Sequence, residues 1–353
     1  MTDEAGVTGM GGLRLGIPAR RTRRPGLTQW YLSAEPAGVG NRSDGRLAVC
    51  VITFRRPERL RRLLAALDQL QFPRYQPVLE VVVVDNDPAG SAKPVCTDMS
   101  RSCRWPLHYE IEPVRGIPYA RNKAVASALC RVDAVAFIDD DEVPRPTWLD
   151  ELLEVQRVHA ADIVTGPTIR HADADAPCWV KRSLWLQPRR YPTGRRLTSA
   201  FSGNVLIQGR VFRQMAPWFD ERIGLGGGSD VEFFRRAQRS GYTIVWADAA
   251  VVDEWMPASR LTAKWLLLRA FSLGNAAALL EVQLGRPVGS RLAVAGQAVL
   301  LVIRGLGLLP WRLLRGRRGV VQSLWYVCRA AGMLSGLTGY RFAYYRDAVH
   351  GDP

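Results

Sequence analysis

Three consecutive carboxylates, Asp139, Asp140 and Asp141, follow the apolar run Ala134-Val135-Ala136-Phe137-Ile138. Carboxylates crowded at the end of a buried strand repel one another, and such a cluster is tolerated mainly where a cation or hydrogen-bond donors neutralise it. Alternate residues of an extended segment point to one side, which predicts Asp139 and Asp141 together and Asp140 facing away. All-oxygen ligation suits magnesium or manganese. An ion held there would bridge the two phosphates of a nucleoside diphosphate and stabilise it as a leaving group. Asp85 ends the run Leu79 to Val84 in the same way. A further carboxylate, Asp230, follows the glycine-rich loop Gly224-Leu225-Gly226-Gly227-Gly228 and Ser229. With Ser229 as N-cap and Glu232 three residues on, the pattern predicts a capping box opening a helix. Asp230 then sits at a helix N-terminus beside a flexible loop, where a part in the helix cap would account for it.

These acids need elements to hold them. Leu47 to Ile52 is a continuous apolar run of strand length, and Leu60, Leu63, Leu64, Leu67 and Leu70 recur at helical spacing behind Pro57, which predicts a strand and an amphipathic helix. Leu79 to Val84 is nearly all β-branched, as in a strand buried on both faces of a parallel sheet. A second helix is predicted from Pro118, carrying Arg121 and Asn122, and a third core strand over Ala134 to Ile138. Asp85 and the acidic triplet therefore sit at carboxyl ends of parallel strands, where open α/β sheets bind ligands, and are predicted to open onto one cleft. Shorter strands are expected at Ile163 to Thr165, Val205 to Ile207 and Thr243 to Ala247. The predicted fold class is α/β, a Rossmann-like mixed sheet with helices on both faces and a helical C-terminal appendage.

Composition narrows the partners. The chain has 353 residues, 47% of them hydrophobic, enough to bury a large core. Six cysteines without paired spacing or histidine partners predict neither a disulfide framework nor a zinc site, and fit a reducing, cytoplasmic setting. The start of the chain lacks the apolar run of an export signal. A formal charge of +15 attracts phosphorylated substrates, anionic lipid or nucleic acid alike. No zinc finger, RNP-type aromatic motif or basic heptad region is present, which argues against nucleic acid.

Four ordered segments resemble the signatures of family 2 glycosyltransferases of the GT-A fold: Val49 to Pro57, Val82-Val83-Val84-Asp85-Asn86, Gly116 to Asn122, and Phe137 to Glu142. The resemblance covers residues 46–275 and implies an inverting, metal-dependent transfer of a sugar from a nucleoside diphosphate donor, usually uridine-based, to an acceptor hydroxyl. It places Thr53, Phe54, Arg55, Asp85, Arg121, Asp139 and Asp140 in the nucleotide pocket, with Asp85 receiving a hydrogen bond from the base. It puts the divalent metal, Mg2+ or Mn2+, on Asp141 and Asp139. Gly228 to Phe234 resembles the acidic motif that supplies the catalytic base, with Asp230 in that position and Ser229 where an acid often stands. Asp253 to Pro257 resembles a segment that in many relatives brings a histidine to the metal. This segment has none, leaving Glu254 as a substitute ligand and Arg260 as a clamp for diphosphate or acceptor. The signature of processive synthases is missing, which implies one sugar or a few per encounter. Rival readings are a nucleotidyltransferase, and a catalytically silent nucleotide-binding or membrane-scaffolding protein.

The expected organisation is a basic arm over residues 1–45, a nucleotide-binding half over 46–160, an acceptor half over 161–275, and a basic helical tail over 276–353. Apolar stretches in the tail alternate with arginines, and none reaches the roughly 18 uncharged residues of a spanning helix. Its basic flanks with Trp311, Trp325 and Tyr326 predict helices lying in an anionic bilayer interface at the inner face of the cell membrane. A helical subdomain packed on the core and a hairpin crossing at Arg304 are the alternatives. Interfacial docking would suit a saccharide or lipid-linked acceptor in cell-surface polysaccharide or glycolipid assembly.

Overall fold

The computed structural model describes residues 45–172, 176–181, 185–283 and 288–346; the expected basic arm lies outside the described residues, apart from Gly45. The chain opens with β1 (Arg46–Thr53), α1 (Pro57–Asp68), β2 (Val78–Asp85), α2 (Lys93–Met99), β3 (Leu107–Ile111), α3 (Ile117–Ala128), β4 (Ala134–Asp139) and β5 (Glu142–Pro144). It continues through α4 (Trp148–Val158), β6 (Ile163–Thr165), β7 (Thr168–Ala172), α5 (Cys178–Lys181), β8 (Arg196–Leu197), β9 (Asn204–Gln208) and α6 (Gly209–Gln214). The later elements are α7 (Ser229–Arg239), β10 (Ile244–Trp246), β11 (Val252–Met256), α8 (Ala263–Gln283), α9 (Val288–Gly307), α10 (Leu309–Leu313) and α11 (Gly316–Leu337).

Eight strands form one mixed sheet in the order β3-β2-β1-β4-β9-β6-β10-β8. The first four are parallel, and β9 enters antiparallel between β4 and β6. Strand alternation sorts β1 into two cores. Leu47, Val49 and Val51 pack with the leucines of α1 and with Trp148 of α4, while Ala48 and Cys50 pack with Ala120 and Ala124 of α3 and the phenylalanines of α6 and α7. Helices thus cover both faces, each buried leucine of α1 contributing on the order of 2 kcal/mol of apolar burial. Asn204 ties the middle of the sheet together, accepting from Trp148 Nε1 at 2.8 Å and donating to the carbonyls of Pro167 and Ala250.

Some elements differ from the sequence reading. β3 was not anticipated, although Leu-His-Tyr-Glu-Ile alternates apolar and polar residues over five positions, a strand signal that the sequence reading overlooked. A second, three-stranded sheet, β5-β11-β7, was also missed, its strands being too short to show a period. The capping box does not form: Gly228 is the N-cap, at φ 97°, and Ser229 is the first helical residue. Glu232 pairs instead with Arg236 one turn on.

The division placed at residue 275 falls inside α8, which runs unbroken from the acceptor half into the tail. α8 and α11 approach so closely that a Cβ on Gly274 would lie 2.0 Å from the Arg329 carbonyl, and one on Gly332 2.0 Å from that of Phe271. Backbone-to-backbone packing of this kind needs glycine on both helices. By length and composition α8 and α9 could each cross a membrane, although Arg269, Arg291 and Arg304 interrupt them. Half of the α8 window is buried inside the protein, against 17% of the α9 window. After α11 the chain doubles back: the Tyr345 amide donates to the Leu225 carbonyl at 3.1 Å, and Arg115 Nη2 to the Tyr345 carbonyl at 2.9 Å.

Candidate active site

Parallel register brings the acidic strand ends level. Thr53 lies beside Asp85, and Ile52 beside Asp139, so three adjacent strands, β2, β1 and β4, deliver their last residues to one edge. What each side chain does there differs. Asp85 is fully enclosed, accepting from the Asp87 and Ala92 amides at 3.0 and 2.7 Å and from the Tyr109 hydroxyl at 3.1 Å. It shares the edge as expected but turns its carboxylate into the following turn, and in this conformation offers no free oxygen to the cleft. Asp87, two residues on, is the acid tied to Arg55, at 3.0 Å. Asn86 accepts from the Gly116 amide and donates to the Glu112 and Val114 carbonyls, fixing the start of α3.

Arg55 takes a left-handed backbone, φ 55°, a conformation that costs a non-glycine residue on the order of 1 kcal/mol. Its guanidinium lies 5.0 Å from the centre of the Phe54 ring, and that of Arg115 lies 4.6 Å from it. Phe54 is therefore flanked by two cations at the mouth of the edge.

The acidic triplet departs from simple alternation. β4 ends at Asp139 and the chain turns at Asp140 and Asp141, so these two come together rather than facing apart. Arg56 Nη1 reaches Asp140 Oδ1 at 2.9 Å and Asp141 Oδ2 at 3.5 Å. Asp140 also accepts from Thr53 Oγ1 at 2.8 Å. Arg59 and Arg260 converge on Asp141 Oδ2 at 3.4 and 3.0 Å. The same Arg260 nitrogen contacts Glu254 Oε1 at 3.2 Å, and Arg170 takes Oε2 at 2.9 Å. Glu254, expected as a metal ligand, thus has both oxygens committed to guanidiniums. Arg56, Arg59 and Arg170 were missed in the sequence; the cluster Arg55-Arg56-Pro57-Glu58-Arg59 next to a strand end was the available signal.

Electrostatics separate the members of the cluster. Burial would raise the Asp141 carboxyl, but Arg260, Arg56 and Arg59 outweigh it and hold the group below its ordinary value. Asp139 goes the other way: burial, opposed chiefly by Arg121 and reinforced by Asp141, Asp140 and Asp230, pushes it up to about 7. Glu142 is raised well above the usual range by burial and by Asp139 and Glu254, while its oxygens accept from the Asp139 amide and from Thr168.

Asp230 is therefore close enough for its charge to press on Asp139. The link runs through α3: Arg121 Nη1 contacts Ser229 Oγ at 3.1 Å, and Asn122 binds the backbone of Phe219 in both directions. The glycine-rich loop carrying Asp230 is thereby pinned at both ends to the helix that also faces Asp139. Asp230 Oδ1 accepts from the Val231 amide at 2.8 Å. His171 of β7 stacks on Trp255 and contacts Asp253 Oδ1 at 2.7 Å. Asp253 and Trp255 lie on the strand face opposite Glu254, so this histidine does not fill the place the sequence left vacant.

A divalent cation can be tested against these groups. The donors are all oxygens, which suits a hard ion, and burial together with Asp141, Asp140 and Asp230 raises Asp139 in spite of Arg121. Among the described residues no three acidic, histidine or cysteine side chains are already converged in ligand geometry. Asp139 and Asp141 fit such an ion in chemistry, with the arginines on Asp141 as its competitors.

The sequence pattern of the family described as "Glycosyl transferase family 2" matches residues 48–216. The succinoglycan biosynthesis protein ExoM of Rhizobium meliloti is 30% identical over 225 residues, covering 64% of this chain and 72% of that protein. The glucosyl-dolichyl phosphate glucuronosyltransferase of Haloferax volcanii is 22% identical over 255 residues, 67% of this chain and 78% of that protein. Among solved structures, residues 1–349 of S. aureus TarS superpose with a TM-score of 0.47 at 16% identity, covering 84% of this chain and 92% of that one.

Proposed function

The chain belongs to glycosyl transferase family 2, and from that premise we propose that it moves one sugar from a uridine diphosphate donor to a hydroxyl of a saccharide or lipid-linked acceptor, inverting the anomeric carbon. The membership itself carries the coarser activity, glycosyl transfer in polysaccharide or glycolipid biosynthesis. The observation that supports the finer reading is the meeting of Thr53, Asp139, Asp140 and Asp141 at one sheet edge, with Asp230 close enough to raise Asp139. The Haloferax relative is named for a dolichyl phosphate carrying glucose, which supports a lipid-linked saccharide as acceptor.

In this reading Phe54, between Arg55 and Arg115, stacks on the base, and Asp85 with its turn shapes the pocket that receives it. Arg121 faces the nucleotide from α3, and Asp140 holds Thr53 and Arg56 in place. Asp139 and Asp141 would hold Mg2+ or Mn2+, which when bound would carry the charge of the departing diphosphate. Arg260, Arg56 and Arg59 exchange Asp141 for phosphate oxygens, a fork geometry that guanidinium matches well. Asp230 takes the proton from the acceptor hydroxyl as the new bond forms, and Glu254 positions Arg260. The exposed helices of the tail dock the enzyme on the anionic cytoplasmic leaflet.

Release of UDP from a panel of UDP-sugars, with Mg2+ or Mn2+ and candidate acceptors, tests this directly. Asp230→Asn should slow acceptor-dependent UDP release about 10²–10⁴-fold, while UDP still raises the melting temperature of the variant as it does the wild type. Release of pyrophosphate in place of UDP would point to nucleotidyl transfer, and an unimpaired Asp230→Asn enzyme would remove the proposed base.

A further inference from the structure

Residues 282–346 contain ten arginines and no lysine or acidic residue. Three of them, Arg315, Arg317 and Arg318, gather with Cys178 and Trp179 around a cleft of about 420 Å³, within the ~300–1,000 Å³ typical of small-ligand clefts. Arg317 lies over the Trp179 ring, 5.3 Å from its centre. None of the three pairs with a carboxylate among the described residues. They also stand where α11 begins, at Gly316, with no acid in the first turn. A helix start already carries partial positive charge, so guanidiniums placed there repel it and one another until an anion arrives.

The surroundings say what the anion is attached to. Trp311, Leu313 and Leu314, just before the cleft, are 64%, 56% and 80% exposed. The apolar strip continues along α9 through Leu300, Ile303 and Leu306, each more than half exposed. A cationic cleft opening beside an exposed apolar strip matches an amphiphile, with its phosphate in the cleft and its hydrocarbon along the strip.

We infer that the cleft between α5 and the start of α11 binds the terminal phosphate or diphosphate of a membrane lipid, the guanidinium forks of Arg315, Arg317 and Arg318 gripping its oxygens and α9–α10 lying in the bilayer surface. Trp179 forms the wall that orients Arg317. This inference rests on the membrane-docking half of the reading above and is independent of the transfer chemistry.

The test uses the full-length protein with phosphatidylcholine vesicles that carry either phosphatidic acid, whose phosphate is terminal, or phosphatidylglycerol, whose phosphate is an internal diester, at matched surface charge. Soluble pyrophosphate is titrated in parallel by calorimetry. The variant R315K/R317K/R318K keeps the charge and loses the forks. It should bind phosphatidylglycerol vesicles as the wild type does, and bind phosphatidic acid vesicles and pyrophosphate about tenfold more weakly. Trp179→Ala should show the same selective loss, and unchanged melting temperatures would establish that both variants are folded. Equal binding of the two vesicle types by the wild type, or a lysine variant that keeps its preference for the terminal phosphate, would overturn the site and leave only diffuse charge. Pyrophosphate binding that is lost in the lysine variant, with neither vesicle bound by the wild type, would overturn the lipid as the source and the docking reading with it.

Discussion

Charge is handled in opposite ways at the two ends of this molecule. At the sheet edge, Asp140, Asp141 and Glu254 are buried and each meets at least one guanidinium from α1 or its N-cap Arg56, from β7 or from the turn before α8. In the C-terminal helices Arg315, Arg317 and Arg318 face a cleft that no carboxylate lines among the described residues. Self-neutralised charge is built into the fold, whereas uncompensated charge waits for a partner. The difference teaches where a ligand must displace existing contacts and where it only has to arrive.

The contrast can be broken most forcefully at the edge. Arg59 and Asp141 are almost wholly buried, with side chains 6% and 8% exposed. Arg59→Gln strands part of a buried charge and should destabilise the protein by about 3 kcal/mol, the low end for breaking a buried pair, because Arg56 and Arg260 still reach Asp141. Urea unfolding would measure it, and a loss below about 0.5 kcal/mol, the level of ordinary surface changes, would mean that the edge is not held by its own ion pairs.

The helical end is expected to depend on shape instead. A side chain at Gly332 would collide with the Phe271 carbonyl, so Gly332→Val should force α8 and α11 apart at about 2 kcal/mol, within the range for overpacking. Thermal unfolding would register this as a lowered midpoint. An unchanged midpoint would show that the two helices can separate freely.

A pH test sharpens the edge itself, where Asp139 is the carboxylate that burial leaves raised. Its folded-state pKa of about 7 lies above the ordinary 3.8, so the folded chain holds this proton more tightly than the unfolded chain. Stability from this group is therefore present at low pH and lost as pH rises through about 7. The melting temperature of the wild type minus that of Asp139→Asn should fall as pH rises from about 4 to about 7 and level off above that. A difference that is flat or rises with pH would contradict the environment described for Asp139.

The same contrast explains what was readable in advance. β1, β2 and β4 stood out because strands buried on both faces are almost wholly apolar runs, broken in β2 only by Glu80, and the acids that end them follow by position. The partners of those acids did not stand out. Arg56 and Arg59 come from the start of α1 and Arg170 from β7, and a sequence shows that an arginine exists, not which carboxylate it meets after folding. Alternation misplaced Asp140 because it assumes an extended chain where β4 in fact gives way to a turn. Ser229 was read as a cap, yet Gly228 takes that position and leaves the hydroxyl to Arg121. The closeness of α8 and α11 was written only in the small residues Gly274, Gly332 and Gly336, a pattern that acquires meaning once the two helices are known to touch.

The return of the chain end to the glycine-rich loop bears on how the protein is made. Arg115 and Tyr345, joined through a backbone carbonyl, are separated by 230 positions. During synthesis the amino-terminal strands can pair while later residues are still inside the ribosome, but this contact waits until the segment after α11 has emerged. A polypeptide cut short before Tyr345 would have a complete sheet and lack the contacts that Tyr345 makes with Leu225 and Arg115.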